Sequence, residues 1–107
     1  MNERIRELSQ LDRLVHEPAR LQILMFLEEV GEADFLYLQR EGGFTQGNLS
    51  GHLSRLEDAG YVQIRKMFKG KTPLTVCALT PSGGVALDAY RRQMFGILSE
   101  GQESKPS

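Results

Sequence analysis

Two clusters of polar side chains near the middle of the chain carry groups suited to gripping or reading another molecule. The first lies in TQGNLSGHLSRLEDAG, residues 45–60, where Thr45, Gln46, Asn48, Ser50, Ser54 and Arg55 are interleaved with Gly47, Gly51 and three leucines. Gln46 and Asn48 each present a donor and an acceptor on one planar amide, a pattern that pairs with an adenine edge. The second cluster is Arg65, Lys66, Lys69 and Lys71, in a stretch from residue 61 to 80 that contains no acid. Four cations so placed suit phosphate. Catalysis is not expected: no Gly-rich phosphate loop follows a strand, and no nucleophile has an evident base and orienter. One cysteine, Cys77, and two isolated histidines, His16 and His52, do not make a metal-ligand set, so neither a metal nor another cofactor is expected.

The chain bounds what can position these groups. Its 107 residues, a quarter of them charged, suit one globular domain with a single core. A net charge of −1 neither advertises nor excludes nucleic acid, but its distribution is uneven. Residues 1–44 carry five Lys/Arg against nine Asp/Glu, a net of −4, while residues 61–80 carry a net of +4. No stretch approaches the length of a membrane span, the N-terminus lacks the pattern of a secretory leader, and a lone cysteine forms no intrachain disulfide. A cytoplasmic protein is expected.

The apolar period is helical, then alternating, then helical again. Ile5, Leu8, Leu11 and Val15 step along one face of a first helix, which should stop near His16-Glu17-Pro18. Pro18 suits the first position of a strongly apolar second helix over about 18–29. A short third helix over about 34–41, preceded by one or two extended residues, should end at Gly42 and Gly43. Thr45 then caps a fourth helix, where Leu49, Leu53 and Leu56 form a narrow core stripe. The opposite side gathers Gly47, Gly51, Ser54 and Asp58, and Gly60 ends the helix. Val62 and Ile64 alternate into a β-hairpin with Lys69-Gly70-Lys71 at its tip and a return through Thr75, Cys77 and Leu79. Thr80 and Pro81 open a last helix over about 81–98, and residues 99–107 read as a polar, frayed tail outside the 1–98 domain. His52 reads as a packed side chain beside the leucine stripe, His16 as part of the turn before Pro18, and Cys77 as a small strand residue.

Mainly helical elements with one small β-hairpin, in this order, make a winged helix-turn-helix flanked by N- and C-terminal helices. An exposed helix face of small polar groups fits the major groove of double-stranded DNA, and a cationic hairpin beside it reaches phosphate or the minor groove. A glycine inside a helix costs ~1 kcal/mol relative to alanine. For Gly47, in the first turn, simple tolerance and close approach to a partner stand equally open; Gly51, in mid-helix, favours close approach.

Three pieces of sequence carry a resemblance: NLSGHLSRLEDAGYV at 48–62, KGK at 69–71, and the Leu79-Thr80-Pro81 run with Gly83. Together they resemble the small one-domain winged-helix transcriptional regulators of the MarR/ArsR-like group over about Leu11 to Leu98. The resemblance implies a recognition helix over Gln46–Ala59, a wing over Arg65–Pro73, and a homodimer built by the first and last helices. Two residues depart from the pattern: Gly42 replaces a usual leucine in the turn, which should loosen it, and Gly84 replaces a longer polar residue. Metal-sensing members use paired cysteines or His/Asp clusters that this chain lacks.

The expected function is therefore that of a dimeric, sequence-specific DNA-binding regulator. Thr45, Gln46, Asn48, Ser50, Gly51, Ser54 and Arg55 are its expected recognition-helix contacts, and Arg65, Lys66, Lys69 and Lys71 its wing contacts. Leu8, Leu11, Tyr90, Met94 and Phe95 offer more apolar surface than one thin domain can cover, and are the expected dimer interface. The competing expectation is a winged-helix module that binds protein through the same face and never touches DNA. The pattern names no small-molecule effector and no operator.

Overall fold

The computed structural model describes residues 3–103. Its first helix, α1 (Glu3–Ser9), ends earlier than the apolar period suggests. The reason is Asp12. Its Oδ1 accepts from the amides of Leu14 at 2.9 Å and Val15 at 3.3 Å, offering the backbone a turn in place of a further helical one. Leu11 and Val15 are still buried, but from this turn and not from a helix face. The other oxygen of Asp12 accepts from the Tyr61 hydroxyl at 2.7 Å, tying the turn to the base of the hairpin.

Helix α2 (Pro18–Val30) starts at Pro18 as expected. Glu17 caps it, accepting from the amides of Ala19 and Arg20. Burial pushes the Glu17 carboxyl up, but those amides, with the charges of His52 and Arg20, outweigh it and hold its pKa below the ordinary value. Strand β1 (Glu32–Asp34) follows, then α3 (Phe35–Gly42), whose first turn is capped by Asp34. Gly43, with φ 68°, takes the left-handed position that ends it. Gly42 leaves room at this turn. The Phe44 ring lies where a Cβ would stand, so glycine here lets that ring fold back over the helix end.

Helix α4 (Gln46–Asp58) leads through Gly60, at φ 81°, into β2 (Val62–Lys69) and β3 (Thr72–Leu79). The sheet has three antiparallel strands in the order β1-β3-β2, not two: Ala33 pairs with Cys77 and Asp34 with Val76. Helix α5 (Pro81–Glu103) runs five residues beyond the expected end at 98; residues 104–107 of the expected tail lie outside the described residues. One core unites the elements, with Ile23, Leu24 and Leu27 of α2, Leu38 of α3, the three leucines of α4, Val62, Cys77, and Leu87, Tyr90 and Ile97 of α5.

The Thr80-Pro81 start of α5 explains one glycine of the sequence motif. Thr80 Oγ1 accepts from the Gly83 amide at 3.0 Å while its hydroxyl donates to the Gly60 carbonyl, and the Thr80 amide donates to the Tyr61 carbonyl at 3.1 Å. The helix start is thereby pulled onto the start of β2 so closely that a Cβ on Gly83 would overlap the Tyr61 carbonyl oxygen. Gly84 has only ordinary contact with Leu79. Gly83→Ala should therefore destabilise the fold by ~1–3 kcal/mol, as overpacking does, while Gly84→Ala is neutral or stabilising by up to ~1 kcal/mol. Urea melts of the two variants check this; equal midpoints would contradict the close approach.

Candidate nucleic-acid interface

The rotation of α4 about its axis decides which of its side chains meet solvent. Leu49, Leu53 and Leu56 are at most 1% exposed, so the positions between them are turned outward. Thr45 caps the helix, its Oγ1 accepting from the Asn48 amide at 3.1 Å. Gln46, Ser50 and Ser54 lie on the flank toward the hairpin. With Glu57, Lys66 and Thr75 they line a groove floored by Phe35, Leu53 and Ile64. Asn48 and Arg55 are exposed on the other flank. Between the flanks stand Gly47 and Gly51, and a Cβ on either would meet nothing within 4 Å. Among the described residues, packing does not require a glycine at either position. His52 is half-buried, 3.4 Å from the Arg20 guanidinium through Nδ1 and edge-on to Phe44, as a packed side chain should be.

The hairpin presents its cations on two faces. Val62 and Ile64 point to the core, and by strand alternation Lys66 and Phe68 share that face. Lys66 thus stands across the groove from Gln46, Ser50 and Ser54. Arg65 is on the outer face, its guanidinium 2.8 Å from the Glu32 carboxylate of β1. Of the four expected wing cations, Arg65 therefore has a partner already, although an exposed pair of this kind is worth little and can be exchanged. Among the described residues, Lys66, Lys69 and Lys71 have no ion-pair partner. The tip is a two-residue turn, Gly70-Lys71, and Gly70 at φ 65° with Lys71 at ordinary negative φ is the type II′ pattern, which matches the strand twist. Met67 and Phe68, 44% and 73% exposed, are wing groups that the reading by charge overlooked; the signal was their place beside the cations.

The expected dimer residues divide. Leu11 and Tyr90 are 4% and 7% exposed and belong to the core of the chain itself. Leu11 is drawn in by the Asp12 turn, and the Tyr90 hydroxyl lies 2.7 Å from His16 Nδ1, which joins the N-terminal turn to α5. Leu8 and Phe95 are exposed and Met94 is half-buried; Ile5 and Leu98 add to that apolar surface. Cys77 is fully buried in β3, and burial, then the charges of Asp34 and Glu57, pushes its thiol up to about 11. It stays a neutral thiol near pH 7. Among the described residues no three His, Cys, Asp or Glu side chains gather as metal ligands, and no helix is long and apolar enough to cross a membrane.

The chain is similar to known proteins in sequence and in fold. An uncharacterised protein of Methanocaldococcus jannaschii is 33% identical over 79 residues, covering 73% of this chain and 85% of its own length. A solved transcriptional regulator homologue from Pyrococcus horikoshii OT3 superposes with a TM-score of 0.83 at 27% identity, covering 89% of this chain and 96% of that one. A MarR-family transcriptional regulator from Silicibacter pomeroyi superposes with a TM-score of 0.63 over 96% of this chain and 68% of its own, and at 18% identity it shows the fold alone. The winged helix-turn-helix and the likeness to MarR-family regulators thus both hold. Residues 19–98, from the second residue of α2 well into α5, match a family whose members share this fold, and the chain belongs to the winged helix DNA-binding domain family.

Proposed function

We propose that this protein is a homodimeric transcriptional regulator that binds double-stranded DNA in a sequence-specific manner, in the cytoplasm, with α4 in the major groove and the wing on the backbone or minor groove. One observation carries the reading: the outward side of α4 holds only small or polar groups around two glycines that face open space, and Lys66, without an ion-pair partner among the described residues, lines the groove beside it. Gln46 and Asn48 supply amides for base edges, Thr45, Ser50, Ser54 and Arg55 surround them, and Gly51 allows the helix backbone to approach. Lys66, Lys69 and Lys71 supply phosphate contacts, joined by Arg65 when it leaves Glu32. The second copy covers the apolar strip of Ile5, Leu8, Phe95 and Leu98, which α1 and α5 leave exposed by 44–72%. A two-fold pair of recognition helices asks for a palindromic site with half-sites about one helical turn apart. A module that binds only protein has no use for an acid-free cationic tip.

Selection from a random double-stranded pool tests the function, and Gly51→Leu tests the face. Recovery of a palindrome is expected. Leucine is the better helix former and its Cβ would meet nothing within 4 Å among the described residues, so Gly51→Leu should hold or raise the melting temperature while removing specific binding. Specific binding retained in that variant would take α4 out of the groove.

The two kinds of contact should separate in salt titrations. Lys69→Ala should weaken binding to all sequences alike and lower the salt slope by ~0.9 per lost contact, about twice that for a dimer. Asn48→Ala should cost ~1–3 kcal/mol at one position of each half-site, with the slope nearly unchanged. Reversed signatures would contradict the assignment.

Sedimentation at micromolar concentration should give a dimer, and Phe95→Glu a folded monomer with weakened operator binding. A wild-type monomer would remove both the interface and the palindrome.

A further inference from the structure

The wing tip carries apolar groups that phosphate binding does not use. Phe68 is 73% exposed at the far end of β2 and pairs across the hairpin with Pro73, which is also exposed. Lys69 and Thr72 close the two-residue turn as a hydrogen-bonded pair, which makes Phe68 and Pro73 the next, non-hydrogen-bonded pair, where side chains stand closest. The missing N–H of Pro73 then falls on the side away from β2. That side needs no donor, because β1 pairs with β3 only from Val76 to Ala78.

The result is a short apolar blade at the end of a two-stranded ribbon. Lys66 stands behind it on the same face, and Lys69 and Lys71 flank it at the turn, none of them ion-paired among the described residues. A hydrocarbon edge framed by free cations fits a narrow slot with apolar walls and anionic rims. The minor groove of DNA is such a slot, with sugars and base edges inside and phosphates along both lips. An apolar protein surface would match the blade but leave the three cations facing nothing.

We propose that Phe68, backed by Pro73, is a minor-groove wedge that presses against or between base steps beside the site read by α4, while Lys69 and Lys71 hold the phosphates on either side. This inference rests on the DNA-binding reading above. A wedge unstacks a step and bends the duplex, so it favours sites with a flexible pyrimidine–purine step under the wing, a preference set by deformability and not by hydrogen bonds.

The test compares the wild-type protein with Phe68→Ala and Phe68→Leu on the duplex recovered from the random pool, reading affinity by fluorescence anisotropy and bending by gel phasing. Phe68→Ala should bind about tenfold or more weakly and lose the bend, with the salt slope unchanged, because an aromatic contact and not a phosphate contact is removed. Phe68→Leu, which keeps an apolar wedge, should retain most of both. Wild-type affinity and bending in Phe68→Ala would overturn the proposal while leaving the DNA reading intact. So would a lost dimer in sedimentation, which would make Phe68 a protein contact. Failure of the wild-type protein to select any sequence would instead bring down the DNA reading itself.

Discussion

The rotational setting of α4 is the constraint on which the rest of this structure depends. Three leucines at helical spacing, each at most 1% exposed, can be buried together in only one orientation of the helix. That orientation turns Gly47, Gly51 and Asp58 outward and places Gln46, Ser50 and Ser54 toward the hairpin. Truncating one of these leucines in a packed core costs ~2–5 kcal/mol, comparable with the whole stability of a small domain, so the polar face is held in place by the apolar one. The helix ends reinforce this. Thr45 fixes the first turn and Gly60 the exit toward β2, which leaves the helix little freedom to roll.

The wing is placed by a second set of polar contacts at the base of the hairpin. Tyr61 gives its hydroxyl to Asp12 and its carbonyl to the Thr80 amide, and Gly83 lets α5 start against that same carbonyl. The hydrogen bond to Asp12, with burial and the carboxylate charge, pushes the Tyr61 phenol up to about 12. This bond therefore stands at full strength below the ordinary tyrosine range and is lost only as the pH rises toward that value. Three segments distant in sequence meet here: the N-terminal turn, the hairpin and the last helix. Beyond this anchor the hairpin extends to a tip where Phe68 and the cations without an ion-pair partner among the described residues are exposed. The overall charge of −1 conceals this because the acids lie elsewhere, and the wing cation that finds a carboxylate is Arg65, on the outer face with Glu32.

Much of this was legible in the sequence because it is local. The leucine stripe, the Thr45 and Thr80 caps, Pro18 and Pro81 at first helical positions, and the glycines after α3 and α4 all act within a few residues of themselves. What was illegible depends on partners far along the chain. One or two extended residues were expected before α3, but that Glu-Ala-Asp, with no apolar alternation, forms a strand depends on β3 being there to pair with it. The first helix was read too long because Leu11 and Val15 keep a helical spacing even though Asp12 folds them inward through a turn. Tyr90 was expected at a dimer interface, but it belongs to the core of the chain, where its hydroxyl meets His16, 74 residues away in sequence. For the candidate interface, sequence supplied the residue types, and the register of the hairpin supplied which face each cation occupies.

The central claim is that the small, polar side of α4 is the surface that meets DNA. Backbone amide shifts, followed by NMR while the selected duplex is added to the dimer, report on it directly. The account predicts that the largest changes fall on residues 45–55 and on the wing from Lys66 to Lys71, while the α1 and α5 surfaces around Leu8 and Phe95 stay unmoved. Changes centred on α1 and α5, with residues 45–55 unaffected, would contradict it.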